Sequence, residues 1–213
     1  GETVCKADFT AVKDEGTYNV TIGDEVSYSF TISDTVYDDV TIEVVKYMYT
    51  QRCGMELTEE YAGAVAHGKC HTSEATIYGT SNKKDVSGGW HDAGDFGKYV
   101  VPGAQTAMDL MLCYEENPEM WSNDNIGIPE SGNGVPDILD ETRYELEFLL
   151  KMQDEATGGV YHKVTTKVFP VFIMPDEDMD ELVLLDTQNC GFIANMKANI
   201  FMVFQYMLDI RLK

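Results

Sequence analysis

The sequence predicts a mainly α-helical domain entered through a short β-hairpin. Three observations carry this. Apolar alternation is confined to the first 32 residues, later apolar residues recur at helical spacing between prolines, and a long irregular segment separates the helices. In the hairpin, Tyr18, Val20 and Ile22 alternate with polar neighbours, as do Val26, Tyr28, Phe30 and Ile32, with Gly23-Asp24 between the runs. Two or three strands do not make a sandwich alone, so residues 1–32 read as the last strands of a larger β-domain. Ser33-Asp34 then offers an N-cap, and Val36, Val40, Val44, Tyr47 and Met48 follow at helical spacing until Gly54. Residues 55–97 are mostly irregular, small and polar, and a loop of that length in a compact domain is usually functional.

A second helix has the stripe Ala104, Met108, Met111 and Leu112, opened near Pro102 and closed before Pro118. Pro136 opens a third, with Asp137, Asp140 and Glu141 in the first turn, where the helix dipole favours negative charge. Its stripe is Leu139, Thr142, Leu146, Leu149, Leu150 and Gln153, and Gly158-Gly159 stops it. A strand-like stretch over 160–172, an acidic run over 176–181 read as a solvated loop, and a helix over 192–212 complete the chain.

At 213 residues and 44% apolar, the chain can bury a substantial core. Its net charge of −22, from 15 basic and 37 acidic residues, argues against nucleic acid and anionic membranes. A neutral ligand or a cation suits it better. No apolar run is long enough to cross a bilayer. The five cysteines, Cys5, Cys53, Cys70, Cys113 and Cys190, are too widely spaced for a disulfide framework.

Two features carry chemistry. In GWHDAGDF, residues 89–96, Asp92 and Asp95 stand three apart on a loop stiffened by Trp90 and loosened by Gly88, Gly89, Gly94 and Gly97. Such a loop can aim two carboxylates into one space to activate water. It can equally form an Asx-type turn whose aspartates cap backbone amides. Cys53, Cys70, His71 and His91 offer the two thiolates and two imidazoles of a closed tetrahedral zinc site. By spacing alone, a Cys53–Cys70 disulfide with two ordinary histidines fits as well. A metal would fix the long loop, and a zinc-bound His91 would anchor the neighbouring Asp92. Such a zinc would be structural, since no open coordination position is implied.

These stretches lie among others that resemble family 9 glycoside hydrolases, cellulases that carry an immunoglobulin-like module before the catalytic domain. The matching runs are SDTVYDDV (33–40), YTQRCG (49–54), CHT (70–72), DVSGGWHDAGDFGKYVVPGA (85–104), IPESGNGVPDILDE (128–141) and GGVYHKV (158–164). The resemblance implies an (α/α)6 barrel of the six-hairpin type, of which residues 33–213 would be the N-terminal part. Residues 1–32 would then be the closing strands of the Ig-like module. It implies inverting hydrolysis of internal β-1,4-glucosidic bonds in cellulose or a related β-glucan, with Asp95 as general base and Asp92 helping to hold the water. It favours zinc on Cys53, Cys70, His71 and His91. It also suggests calcium at Glu130, Asn133 and Asp140; the alternative is that these residues only cap the third helix.

Trp90, Tyr99 and His162 are the candidate sugar contacts, whereas Phe96 reads as packing. Asp92 and Asp95 are too close in sequence to be an inverting acid/base pair, so both serve the water side. The family's general acid, a glutamate near the end of the catalytic domain, has no counterpart in this chain. From Asp186-Thr187-Gln188-Asn189-Cys190 onward the resemblance lapses, so residues 186–213 read as a divergent tail. The resemblance further implies a secreted protein with a β-glucan partner. The competing expectation is an inactive carbohydrate-binding or zinc-stabilised structural fragment. A part-barrel would expose apolar helix faces, so self-association through them is expected.

Overall fold

The computed structural model describes residue 4 and residues 6–185, and the chain divides into units of residues 1–44 and 45–213. In the first unit, β1 (Gly16–Tyr18) pairs antiparallel with β4 (Phe30–Ile32), and β2 (Thr21–Ile22) with β3 (Glu25–Val26). The hairpin is the one its alternation predicts, turning at Gly23 with φ +61°. Tyr18 faces Phe30 and Thr21 faces Val26, so the returning strand holds one extra residue between the two ladders. That residue is a β-bulge, and it interrupts the strict alternation read from sequence. Phe30 is half-buried, with its ring 5.2 Å from Phe9 and 6.2 Å from Tyr18, whereas Ile22, Val26 and Tyr28 are exposed.

Helix α1 (Asp38–Tyr49) has Asp38 and Asp39 in its first turn and Lys46 in its last, the charge order its dipole favours. Its buried residues are Val45 and Tyr49. The predicted stripe is displaced, for Val36, Val40, Val44 and Tyr47 are exposed.

The second unit continues with α2 (Glu59–Ala62), a 3₁₀ turn at Gly63–Val65, β5 (Ala75–Ile77), β6 (Lys83–Lys84), β7 (Lys98–Tyr99), α3 (Val100–Glu116), α4 (Asp137–Lys151), β8 (Lys163–Thr166), a 3₁₀ turn at Pro175–Glu177 and β9 (Leu182–Leu185). The strands form one five-stranded sheet in the order β6-β5-β9-β8-β7, parallel only between β5 and β9. The all-α expectation therefore covers only part of the described residues. Strands of two to four residues are too short to print a period, and β5 and β9 meet across a hundred residues of chain. The strand-like stretch over 160–172 narrows to β8, beyond which Val168, Phe169, Val171 and Phe172 are exposed. The helix expected over 192–212 lies outside the described residues.

Helices α3 and α4 pack on one another. The former buries Val100, Ala104, Ala107, Leu110 and Met111; the latter buries Ile138, Thr142, Leu146, Phe148 and Leu149. Each large side chain so buried contributes about 1.5–3 kcal/mol. The buried face of α4 also carries Glu141 and Glu145, while Leu139 is half-buried and Leu150 exposed. The helix is thus rotated from its predicted stripe, because those carboxylates find partners inside.

Candidate metal centre and carboxylate loop

Two extended segments frame the site. Residues 51–53 and 89–91 run antiparallel: the Cys53 N–H donates to Gly89 O and the His91 N–H to Gln51 O, both at 2.8 Å, about an Arg52–Trp90 bridge. This sets Cys53 beside His91. The approach to Cys70 and His71 is fixed by a pair of 3.0 Å bonds between Leu57 and His67, and by the Gly68 N–H donating to Asp176 Oδ2 at 2.8 Å. His71 itself sits at φ +47°, a region few side chains tolerate.

The four predicted ligands converge. Nδ1 of His71 lies 3.3 Å from Nε2 of His91, and Sγ of Cys70 lies 3.8 Å from the same nitrogen. All four donor atoms fall within 4.8 Å of one another, and all four residues are buried. A tetrahedral zinc with Zn–N near 2.0–2.1 Å and Zn–S near 2.3 Å holds its donors about 3.3–3.8 Å apart. The set therefore fits zinc. Cys53 and Cys70 are free thiols, so of the two arrangements the spacing allows, the structure adopts the undisulfided one.

A hydrogen bond from Cys70 to Cys53 holds the Cys53 thiol well below its usual range; the same bond, with burial, pushes Cys70 up. One sulfur thus carries charge easily and the other needs a cation to do so. Nε2 of His71 meets Asp178 Oδ2 at 3.3 Å, the kind of carboxylate that fixes the tautomer of a metal-binding histidine. The acidic run over 176–181 is therefore not simply a solvated loop. Asp178 is buried against His71, and Asp176 grips the backbone before Cys70. Phe96 packs its ring 5.3 Å from His91 and 6.1 Å from His71, the packing role read from sequence.

The loop between Asp92 and Gly97 closes through the Asp92 N–H to Gly97 O and the Phe96 N–H to Ala93 O, both 2.9 Å. Asp92 is exposed and Asp95 half-buried. The Tyr99 hydroxyl donates to Asp95 Oδ2 at 2.7 Å, while Oδ1 has only a long 3.4 Å contact with the Gly97 N–H. Burial, then the Asp95 carboxylate, raise the Tyr99 phenol above its ordinary range, so it remains a donor. Asp92, Trp90, Tyr99, Gln51, Tyr47 and Thr106 line one cleft. Ala93, Gly94 and Phe96, on the same loop, line a neighbouring hollow with His67 and Met174.

Trp90 is buried, and α4 holds it at two points. Its indole Nε1–H donates to Glu141 Oε1 at 2.7 Å and its backbone N–H to Glu145 Oε2 at 2.8 Å. Arg52, also buried, donates from Nε to both Glu141 oxygens at 3.1–3.2 Å and grips Glu130 at 2.9 and 3.1 Å. Its guanidinium lies over the Tyr144 ring at 4.5 Å, and the Tyr144 hydroxyl donates to Cys53 O at 2.6 Å. Buried Lys98 donates to the carbonyls of Val86 and Gly88 above the Phe148 ring. Sequence reasoning passed over Arg52, Glu145 and Lys98, gave Glu141 only a helix-dipole role and left Asp178 in a solvated run. One signal was available for the glutamates: they interleave with Ile138, Thr142, Phe148 and Leu149 at i, i+3 and i+4.

Asn133 Nδ2 donates to Asp140 Oδ2 at 2.8 Å, and Asp140 Oδ1 lies 3.0 Å from Arg143 Nη1. Glu130 is turned instead to Arg52. Nearby Asp137 is buried, with Oδ1 lacking a hydrogen-bond partner, and burial followed by the charges of Asp124 and Asp140 raises its pKa. His162 is half-buried, its ring 6.4 Å from Tyr99, and burial, then Lys163, keep its imidazole neutral more readily.

A sequence profile of glycosyl hydrolase family 9 matches residues 37–205. Endoglucanase D of Acetivibrio thermocellus is 41% identical over 211 residues, spanning 94% of this chain and 34% of that protein. Among solved structures, a thermostable endoglucanase from Alicyclobacillus acidocaldarius, crystallised as a single mutant, superposes with a TM-score of 0.75 at 41% identity, covering 84% of this chain and 34% of that one. A Zn-binding triple mutant of the family 9 endoglucanase J30 gives 0.78 at 37% identity, over 84% of this chain and 35% of that one. The chain spans about a third of the length of these relatives.

Proposed function

Because the chain belongs to glycosyl hydrolase family 9, we propose that the protein hydrolyses internal β-1,4-glucosidic bonds of cellulose or a related β-glucan with inversion at the anomeric carbon. The observation that carries this reading is the state of Asp95. Tyr99 donates to its Oδ2 at 2.7 Å, which orients the carboxylate and leaves Oδ1 with only a weak 3.4 Å contact. An oriented carboxylate with one oxygen to spare is what a general base needs to take a proton from water as that water attacks. Asp92, exposed on the cleft, holds the same water from a second side. Tyr99 offers its ring to the sugar, and the edge of Trp90 that reaches the cleft does the same. Inversion further calls for a carboxylic acid on the opposite side of the bond to protonate the leaving oxygen.

Cys53, Cys70, His71 and His91 hold a structural zinc in this reading. When bound, zinc ties the three segments bearing its ligands into one rigid unit and demands no further ligand. The donor separations, the burial of all four residues and the Asp178 contact support it, and a triple mutant of the family 9 endoglucanase J30 binds zinc. Calcium at Glu130, Asn133 and Asp140 would require Glu130 to leave Arg52 and Asp140 to leave Arg143. The unpartnered Asp137 oxygen suits a hard cation, whereas Glu130 is committed to Arg52. Residues 1–32 serve as the closing strands of an Ig-like module. A polymeric glucan places the protein outside the cell; no described helix is long and apolar enough to cross a membrane.

The test is Asp95→Asn in the full-length protein, assayed on soluble cello-oligosaccharides with the product anomer followed by NMR. The expected result is a fall in kcat of about 10²–10⁴-fold and initial release of the α-anomer by the parent. Full activity in the variant, or initial release of the β-anomer, contradicts the reading.

A further inference from the structure

Helix α4 does more than complete the core. The oxygens of a single buried carboxylate, Glu141, reach two segments distant in sequence. Oε1 accepts the Trp90 indole N–H at 2.7 Å, and both oxygens accept the Arg52 Nε–H at 3.1–3.2 Å. Arg52 immediately precedes Cys53, while Trp90 immediately precedes His91 and Asp92. The two segments are themselves paired through the Arg52–Trp90 bridge. Tyr144 adds a bond to Cys53 O, and Glu145 takes the Trp90 backbone N–H.

We propose that Glu141 is a positioning residue: bonded to Trp90 and Arg52, it fixes the spacing between the Cys53 and His91 donors and so aims the Asp92–Asp95 loop. This inference depends on the zinc and general-base reading given above. A carboxylate serving only to neutralise Arg52 would not need the indole. Here the two donors arrive from opposite members of the paired segments, so moving either one changes the separation of the sulfur and imidazole beyond it. Groups behind metal ligands typically alter metal affinity about 10–100-fold when removed.

The test uses the full-length protein loaded with one equivalent of zinc, in three variants. Glu141→Gln keeps an acceptor for the indole but loses the charge facing Arg52. Trp90→Phe keeps a ring in place and removes the N–H. The third variant combines them. Zinc release to a chromogenic chelator and the split between kcat and KM on a cello-oligosaccharide are measured beside Leu146→Ala, a buried apolar α4 control that destabilises the fold without removing a hydrogen bond to either segment.

Each single variant is expected to release zinc about tenfold faster than the parent, and Glu141→Gln is expected to lower kcat with KM within about twofold. The double variant is expected to resemble the worse single one, since both changes act on one hydrogen-bonded unit. The control should melt earlier yet release zinc at the parental rate from the folded state. Parental release rates in both single variants overturn the proposal, as do fully additive effects or a control that loses zinc equally fast. A parent that binds no zinc at all overturns the metal reading and this inference with it.

Discussion

At the scale of single residues, the site depends on polar groups that sequence alone would place in solvent. Glu145 is the plainest case. Burial pushes its carboxyl up to about 8, and its Oε2 accepts the Trp90 N–H. In the unfolded chain the same group ionises near 4.5. Between those values unfolding releases a proton that the native state retains, so this group's contribution makes stability fall as pH rises from about 4.5 to about 8. Glutamine at 145 can still accept from Trp90 and does not titrate. Thermal melts across that window should therefore show a shallower loss of Tm for Glu145→Gln than for the parent. Parallel Tm curves would mean that Glu145 is ionised in the native protein. The cluster of two cysteines and two histidines was readable because those residue types are rare, and the two aspartates were singled out because their loop is unusual. Glu141, Glu145 and Arg52 were not, because a charged residue announces its burial only when its partner is known, and here the partners lie 51 to 89 residues away.

At the scale of elements, α4 and the segment before Asp92 fit closely enough to be tested by one methyl group. Gly89 adopts φ +75°, and a Cβ there would stand 2.5 Å from the Phe148 ring. Gly89→Ala thus combines a left-handed backbone, costing about 1–3 kcal/mol, with overpacking of similar size. Destabilisation of at least about 2 kcal/mol is expected in a denaturant titration, and an unchanged midpoint would refute the packing described. Gly103 performs the corresponding service for α3, since a Cβ there would meet Glu145 Oε1 at 2.2 Å. Of the four helices read from the sequence, the three that fall within the described residues exist, at 38–49, 100–116 and 137–151, because proline, glycine and acidic first turns mark their ends. Their faces were less legible. In α4 the hydrophobic period pointed to Leu150, but the ion pair with Arg52 and the bonds to Trp90 turn the glutamates inward instead. The sheet escaped notice because β8 and β9 pair over only four residues each.

At the scale of the whole molecule, two units carry exposed apolar side chains. Val40, Val44 and Tyr47 lie along α1, and Val168, Phe169, Val171 and Phe172 follow β8. Exposed apolar side chains in such number favour association. The 213-residue chain alone is accordingly expected to self-associate in sedimentation velocity; a single compact monomer at micromolar concentration would contradict that. In the proposed site, two sulfurs and two imidazoles hold one zinc ion, which keeps the Asp92–Asp95 loop in place. Zinc-edge X-ray absorption on the purified protein tests this most directly. The predicted result is one zinc per chain with two sulfur neighbours near 2.3 Å and two nitrogen neighbours near 2.0–2.1 Å. A zinc shell made of oxygen, or a protein that binds no zinc and joins Cys53 to Cys70 as a disulfide, would contradict it.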